Sequence, residues 1–387
     1  MSEKNANGKF KIHWVTREHT IVGNALGYNH HNKMMRKYAE EFFEFDDSSP
    51  IALHIVPANL YVPVEGKFNI LFTMWEGLDI PPAYYRGIES ADALITPCRF
   101  CKDLFQKYAK GPVEVCWEGV EPEKFPFFQR SKTDGKRFRY LWVGAPNPRK
   151  GYPLVLESIK IIEQMPNVEI YLKTTVPKIG KLKSILQIFK HWKQIINFEH
   201  TKGGKKVGWD FIWRTLQRLP RPSLAGKVRV MGKHKNIFFD TRLLPFDELL
   251  ALYNSAHCFV LPSMGEGWGL TLCEAMATGA PCVASCNTGT ADFFDASVGY
   301  PIKHEVVETA FRDYDFTGRI YMPDTQDFVQ KMLDVFGNYD EALRRGKRAH
   351  RKIHDIFTWR NSAKRLYEIV RKVVPNDSHS VGVQKIS

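Results

Sequence analysis

An α/β fold of two successive Rossmann-like, doubly wound domains facing a cleft is what this chain predicts, and three observations predict it. Short β-rich apolar runs alternate with helical segments, the pattern of a parallel sheet with helices on both faces. The alternation breaks at a proline-containing stretch and then starts again. A length of 387 residues is enough for two domains of ordinary size.

The elements follow in order. Residues 10–15, FKIHWV, read as the first strand. A loop with Gly23 and Gly27 comes next, and residues 30–43 read as a helix. Runs 51–56, 68–73, 93–96 and 113–116 are strands, with a helix at 99–108. The linker is 121–135, with two prolines and a polar, turn-rich end. Beyond it, 138–143 is a strand, 144–151 a loop and 152–164 a helix. Strands at 168–172, 228–230, 258–261 and 281–284 continue the alternation, and 358–373 is a terminal helix. The expected domains are 1–130, joined by helix 358–373, and 137–355, with a basic insertion at 173–227; 376–387 reads as a disordered tail. In such a pair, ligands bind at the carboxyl ends of the strands.

Composition excludes several classes. With 44% hydrophobic and 25% charged residues the chain has a sizeable core. No apolar run approaches the roughly 20 residues that span a bilayer. The polar start, MSEKNANG, is not a secretory signal, which makes the cytoplasm the expected location, with the inner membrane face as a peripheral station. The seven cysteines are an odd number without a signal peptide, against a disulfide framework. Cys98 and Cys101, and Cys282 and Cys286, have the spacing of half zinc sites but no His at ligand distance, and read as buried small residues. The net charge is +13, and its position is more telling than its size: residues 173–227 hold thirteen Lys or Arg against Glu199 and Asp210, a surplus of +11.

The most informative stretch is 261–285, LPSMGEGWGLTLCEAMATGAPCVAS. A strand ends, a loop with Gly265, Gly267 and Gly269 follows, and a helix starts near Leu270. Glycines admit close backbone approach, and a helix N-terminus offers free N–H groups to a phosphate. Glu266 and Glu274 would repel that phosphate, so they suit the hydroxyls of a sugar and a ribose. No convincing metal-binding Asp-x-Asp is found in a loop, so no catalytic metal is expected.

This stretch resembles the signature of the GT-B fold retaining glycosyltransferases of family 4. Two flanking segments extend the resemblance: WEGVEPEKF at 117–125 and VGAPNPRKG at 143–151. The resemblance implies metal-independent transfer from a nucleotide-sugar co-substrate, UDP- or GDP-linked, with no further cofactor. It implies that Glu266 contacts the donor sugar, that Glu274 holds the ribose and that the backbone of Gly267, Trp268, Gly269 and Leu270 receives sugar and diphosphate. Lys150 would neutralise the leaving diphosphate, a role that fits the charge developing there. The chain departs from the family at Ala145, which stands where an Arg usually follows the strand glycine; Arg149 is its nearest substitute. The sequence TMWE at 73–76 is the form of a related subgroup and makes Glu76 the acceptor-side polar group, against a reading in which it caps or pairs near the cleft. The loop with Gly23 and Gly27 reads as a backbone platform or as a simple turn. His30 and His31 read as surface or packing residues.

A transferase acting on a glycan or lipid-linked acceptor is therefore the leading expectation. Its alternatives are transfer to modified DNA bases and a non-catalytic nucleotide or polyanion binder. A nicotinamide-dependent dehydrogenase is excluded, because no GxGxxG follows the first strand. In the insertion, Leu182, Ile185, Leu186, Phe189, Trp192 and Ile196 have helical spacing with lysines between them. That suits an anionic membrane surface. Basic residues near Trp192, Trp209 and Trp213 suit nucleic acid instead, and a hairpin packed on its own domain is the third reading.

Overall fold

The computed structural model describes residues 9–15, 25–132, 135–174, 228–311 and 316–375. Gly23, the insertion from residue 175 to 227 and the tail 376–387 lie outside the described residues. The chain divides into two units, Met1–Glu121 with Phe311–Gly318 and Asp355–Ser387, and Pro122–Ala310 with Arg319–His354.

In the first unit β1 (Phe10–Val15), β2 (Phe43–Phe45), β3 (Ile51–Ile55), β4 (Phe68–Phe72), β5 (Ala93–Thr96) and β6 (Val113–Val115) form a parallel sheet in the order β2-β1-β3-β4-β5-β6. Every residue of β3 and β5 is buried, as expected of strands covered on both faces. The helices are α1 (Ala25–Ala39), α2 (Pro82–Ser90) and α3 (Arg99–Phe105). The expected helix 30–43 is corrected at both ends. Helix α1 already holds Gly27, and the chain turns where Phe42 N–H donates to Ala39 O at 2.9 Å. Phe43 then pairs with Phe10 as a strand residue, their rings edge to face at 6.3 Å. An aromatic at that position satisfies either periodicity, so the sequence alone extends the helix.

The second unit holds β7 (Phe138–Val143), α4 (Tyr152–Ile162), β8 (Val168–Lys173), β9 (Val228–Met231), β10 (Ile237–Asp240), α5 (Phe246–Ser255), β11 (Cys258–Leu261), α6 (Leu270–Ala277), β12 (Cys282–Ser285) and β13 (Tyr300–Ile302). Its sheet runs β13-β12-β11-β7-β8-β10-β9, parallel except where β9 meets β10. The chain builds outward from β7 to β8 and β10, then returns to lay β11, β12 and β13 on the other side. The topological switch point therefore lies between β7 and β11, and the crevice outside their carboxyl ends is where such a sheet binds ligands.

The ribbon β14 (His304–Phe311) and β15 (Phe316–Pro323) leads to α7 (Thr325–Gly337), α8 (Tyr339–Ile356) and α9 (Trp359–Val373). Helix α9 belongs to the first unit and packs on α1. Thr358 caps it, accepting from Asn361 N–H at 3.1 Å. Its buried stripe is Trp359, Ala363, Leu366, Ile369 and Val370. Gly119 lets this entry pass, since a Cβ there would lie 2.4 Å from the Thr358 carbonyl carbon.

All seven cysteines are free, and six of them are buried. Among the described residues no group of three His, Cys, Asp or Glu could hold a metal ion, and no helix is long and apolar enough to cross a membrane.

Candidate active site

The loops that leave β7 and β11 are fastened backbone to backbone. After β7, Asn147 Oδ1 accepts from Lys150 N–H at 3.0 Å and shapes the short turn Pro148–Lys150. Gly151 ends that turn with φ +70°, and a Cβ there would sit 1.9 Å from Pro262 O. Only glycine fits both the conformation and the space. Met264 N–H then donates to Arg149 O at 2.7 Å.

This contact sets the charges. Arg149 Nη1 donates to Gly265 O at 2.7 Å and stands 3.7 Å from Glu266. Lys150 Nζ meets Glu266 Oε2 at 2.5 Å. Glu266 is buried, and its other oxygen, Oε1, has no hydrogen-bond partner among the described residues. A buried carboxylate oxygen left bare is costly, which marks a place where a donor group belongs. Two cations around one carboxylate leave a local positive surplus suited to an anion.

Helix α6 starts immediately beyond. Gly269, at φ +108°, precedes its first turn, and Leu272 and Cys273 N–H both donate to Gly269 O at 3.0 Å. The N–H groups of Leu270 and Thr271 come before the first intrahelical bond of that turn. Trp268 turns its indole into the core against Phe293, ring centroids 4.7 Å apart, so this residue has its backbone to offer a ligand. One turn into α6, Glu274 accepts from Tyr253 Oη at 2.7 Å. Solvent reaches part of Glu274, yet the surrounding protein raises its pKa to about 7; burial is the cause, and donation by Tyr253 opposes it.

Of the residues singled out in the sequence, the structure gathers Arg149, Lys150, Glu266 and the 267–270 backbone in the second unit, with Glu274 on the helix that follows. Glu76 is in the first unit, half-buried, in the loop beyond the carboxyl end of β4. That loop is held by Trp75, whose Nε1 donates to Asp79 O at 2.7 Å, and by Tyr28 Oη, which accepts from Met74 N–H at 3.1 Å. Gly23 lies outside the described residues. The expectation of a glycine loop at Gly27 is corrected: this residue is helical, exposed and has open space around its Cα. His31 is a packing residue, buried against Phe72 and Trp359 with Nδ1 3.0 Å from Glu118.

Sequence reasoning missed Asn147, Tyr253 and the segment Asn287-Thr288-Gly289, which touches the Glu266 backbone. The Asn-Pro pair at 147–148 is a helix-start signal that could have shown the first. Tyr253 reaches Glu274 through the fold alone.

Comparison with known proteins finds similar chains. Residues 245–366 match a family described as "Family 4 Glycosyltransferase in conflict systems". Over 80 residues the chain is 36% identical to O-antigen chain mannosyltransferase B of Escherichia coli, a match spanning 20% of this chain and 18% of that protein. Among solved structures, sucrose-phosphate synthase from Thermosynechococcus elongatus aligns with a TM-score of 0.57 at 14% identity, over 92% of this chain and 81% of that one. Anabaena Alr3699/HepE, solved in complex with UDP and glucose, aligns at 0.55 and 11% identity over 91% and 84%. The fold is that of the GT-B glycosyltransferases. The resemblance to family 4 is borne out in the segment that carries Glu266 and Glu274.

Proposed function

We propose that this chain transfers a sugar from a nucleotide-sugar donor to a glycan or lipid-linked hydroxyl, with retention at the anomeric carbon. One observation carries the reading: Glu266, buried with one oxygen bare and the other on Lys150, stands beside Arg149 and just ahead of the α6 N-terminus. A nucleotide sugar satisfies all of these groups together. Its diphosphate takes Lys150, Arg149 and the first-turn N–H groups of α6, and the hydroxyls of its sugar donate to the Glu266 oxygens that this exchange frees. When the anomeric carbon–oxygen bond breaks, charge grows on the leaving phosphate, where the cations and helix N–H groups already stand. The bond from the acceptor oxygen forms as that bond breaks, the acceptor hydroxyl giving its proton to the leaving phosphate oxygen, and Glu76 is assigned to the acceptor side.

The donor is expected to be UDP- or GDP-linked. UDP and glucose in the HepE structure support the first, and the mannosyltransferase relative supports a hexose. Neutralisation by Lys150 and Arg149 makes turnover expected to survive a chelator.

Incubation with UDP-glucose, UDP-GlcNAc and GDP-mannose, followed by mass spectrometry for free sugar and nucleoside diphosphate, tests the reading. Lys150→Ala and Glu266→Gln should each lower turnover about a hundredfold or more, the cost of removing one preorganised charge. Turnover near that of the wild type in either variant removes that residue from the mechanism.

A further inference from the structure

Strand β12 hands the chain to a loop whose three consecutive residues all bind the strap that carries Glu266. Asn287 Nδ2 donates to Ser263 O at 3.4 Å. Thr288 Oγ1 accepts from the Glu266 N–H at 2.9 Å. Gly289 N–H donates to Glu266 O, also at 2.9 Å. The peptide groups on both sides of Glu266 are thus held by adjacent residues. The approach is close enough to require glycine at 289, where a Cβ would lie 2.3 Å from Gly267 O. The clamp is itself braced: Asn287 N–H donates to Thr290 Oγ1 at 3.2 Å, and Ser285 O stands 2.7 Å from the same hydroxyl.

Thr288 is the unexpected member. Its φ is +43°, a region that β-branched residues avoid and glycine enters freely. A threonine there carries backbone strain, and strain of this kind gathers at functional sites. What the side chain gains is visible: the buried hydroxyl accepts from Glu266 and donates to Asn287 Oδ1 at 3.2 Å. A glycine would remove the strain and the hydroxyl together.

We infer that Thr288 is a positioning residue for the reaction, its hydroxyl holding the Glu266 peptide so that the carboxylate stays at Lys150 and Arg149. This rests on the reading of Glu266 given above. A carboxylate on a looser strap would still meet the donor but would hold its working orientation for a smaller fraction of the time.

The test compares Thr288→Gly, Thr288→Ser and the wild type. Thr288→Gly should melt within about 3 °C of the wild type, because strain relief offsets the added freedom of the unfolded chain. Its KM for the donor that the wild type turns over should stay within about threefold while kcat falls about tenfold or more. Amide exchange in a peptide covering Glu266 should quicken, and Thr288→Ser should restore both kcat and protection. Wild-type kcat in Thr288→Gly overturns the inference, as does a Ser variant no better than Gly, or a loss of activity that only tracks loss of folded protein. Absence of turnover in the wild type on every nucleotide sugar falls instead on the reading of the site, and takes the positioning role with it.

Discussion

Glu274 shows at the scale of one residue how burial can couple a ligand to pH. Burial raises its pKa to about 7, so this carboxyl is expected to change protonation near neutrality. The ribose hydroxyl proposed to meet Glu274 donates best to the ionised form. The sign follows: binding favours loss of the proton, so donor affinity should rise with pH up to about 7 and level off above it. Folding has the opposite sign. Because the native pKa lies above the unfolded value of 4.5, the free protein should lose stability as pH climbs from about 4.5 to 7. Calorimetry with UDP-glucose between pH 5.5 and 8.5 checks the first statement, since its diester phosphates do not titrate there. Glu274→Gln should weaken binding and flatten the profile; a flat wild-type profile would separate Glu274 from the ribose. The residue was legible in the sequence because the glycine loop and the two glutamates are contiguous. Its pKa was not, because Tyr253 and the burial come from other elements.

Among the elements, the linker illustrates what a proline-rich stretch can conceal. Arg130 is buried with no acid paired to it among the described residues, and burial pulls its pKa down to about 10. Its guanidinium donates to the carbonyls of Ala256, Phe128, Thr278 and Tyr253 at 2.7–3.1 Å and to Thr278 Oγ1 at 2.8 Å. One side chain thereby ties the linker to the end of α5 and to the C-cap of α6, where a cation also suits the helix dipole. Arg130→Met should cost about 3 kcal/mol or more in urea unfolding, because several buried carbonyls lose their donor at once. Arg130→Lys should rescue little, as three donors on a point charge cannot reproduce the planar fork. A change under about 1 kcal/mol would show that water replaces the guanidinium. Helix α8 explains another gap in the sequence reading. Beyond Tyr339 at its start, its buried face is Ala342, Gly346, Ala349 and Ile353, small residues that give a weak apolar stripe, and Gly346 reads as a breaker. The fold needs that glycine, since a Cβ there would lie 2.4 Å from Gly279 O. The longer strands, such as β3, β4, β7 and β8, were legible as apolar runs, whereas the short β2, β10 and β13, of three or four residues each, were not, because so few residues give no period of their own.

On the scale of the whole molecule, the charge is the remaining argument. Residues 173–227 carry +11 of the net +13, so the rest of the chain is close to neutral. Lys173, which opens this stretch, is buried at the end of β8 and donates to Thr174 O and Arg242 O at 2.6 Å; the residues from 175 onward lie outside the described structure. The groups proposed to bind the donor sit elsewhere in the sequence, on the loops after β7 and β11. A segment with this charge acts by attracting polyanions, an attraction that salt screens over roughly 10 Å. The insertion is therefore expected to serve the acceptor or the surface that bears it, and to leave donor chemistry unchanged. Replacing Lys181, Lys183, Lys190 and Lys193 by Gln should weaken acceptor-side binding and flatten its salt dependence, while slow donor hydrolysis stays at the wild-type rate. Co-sedimentation with anionic liposomes and gel shifts with duplex DNA, each at two salt concentrations, decide which polyanion is met. The lysines alternate with apolar residues at helical spacing, which favours the liposome. If neither binds and the variant transfers sugar normally, the charge serves neither surface and the acceptor is recognised by the fold alone.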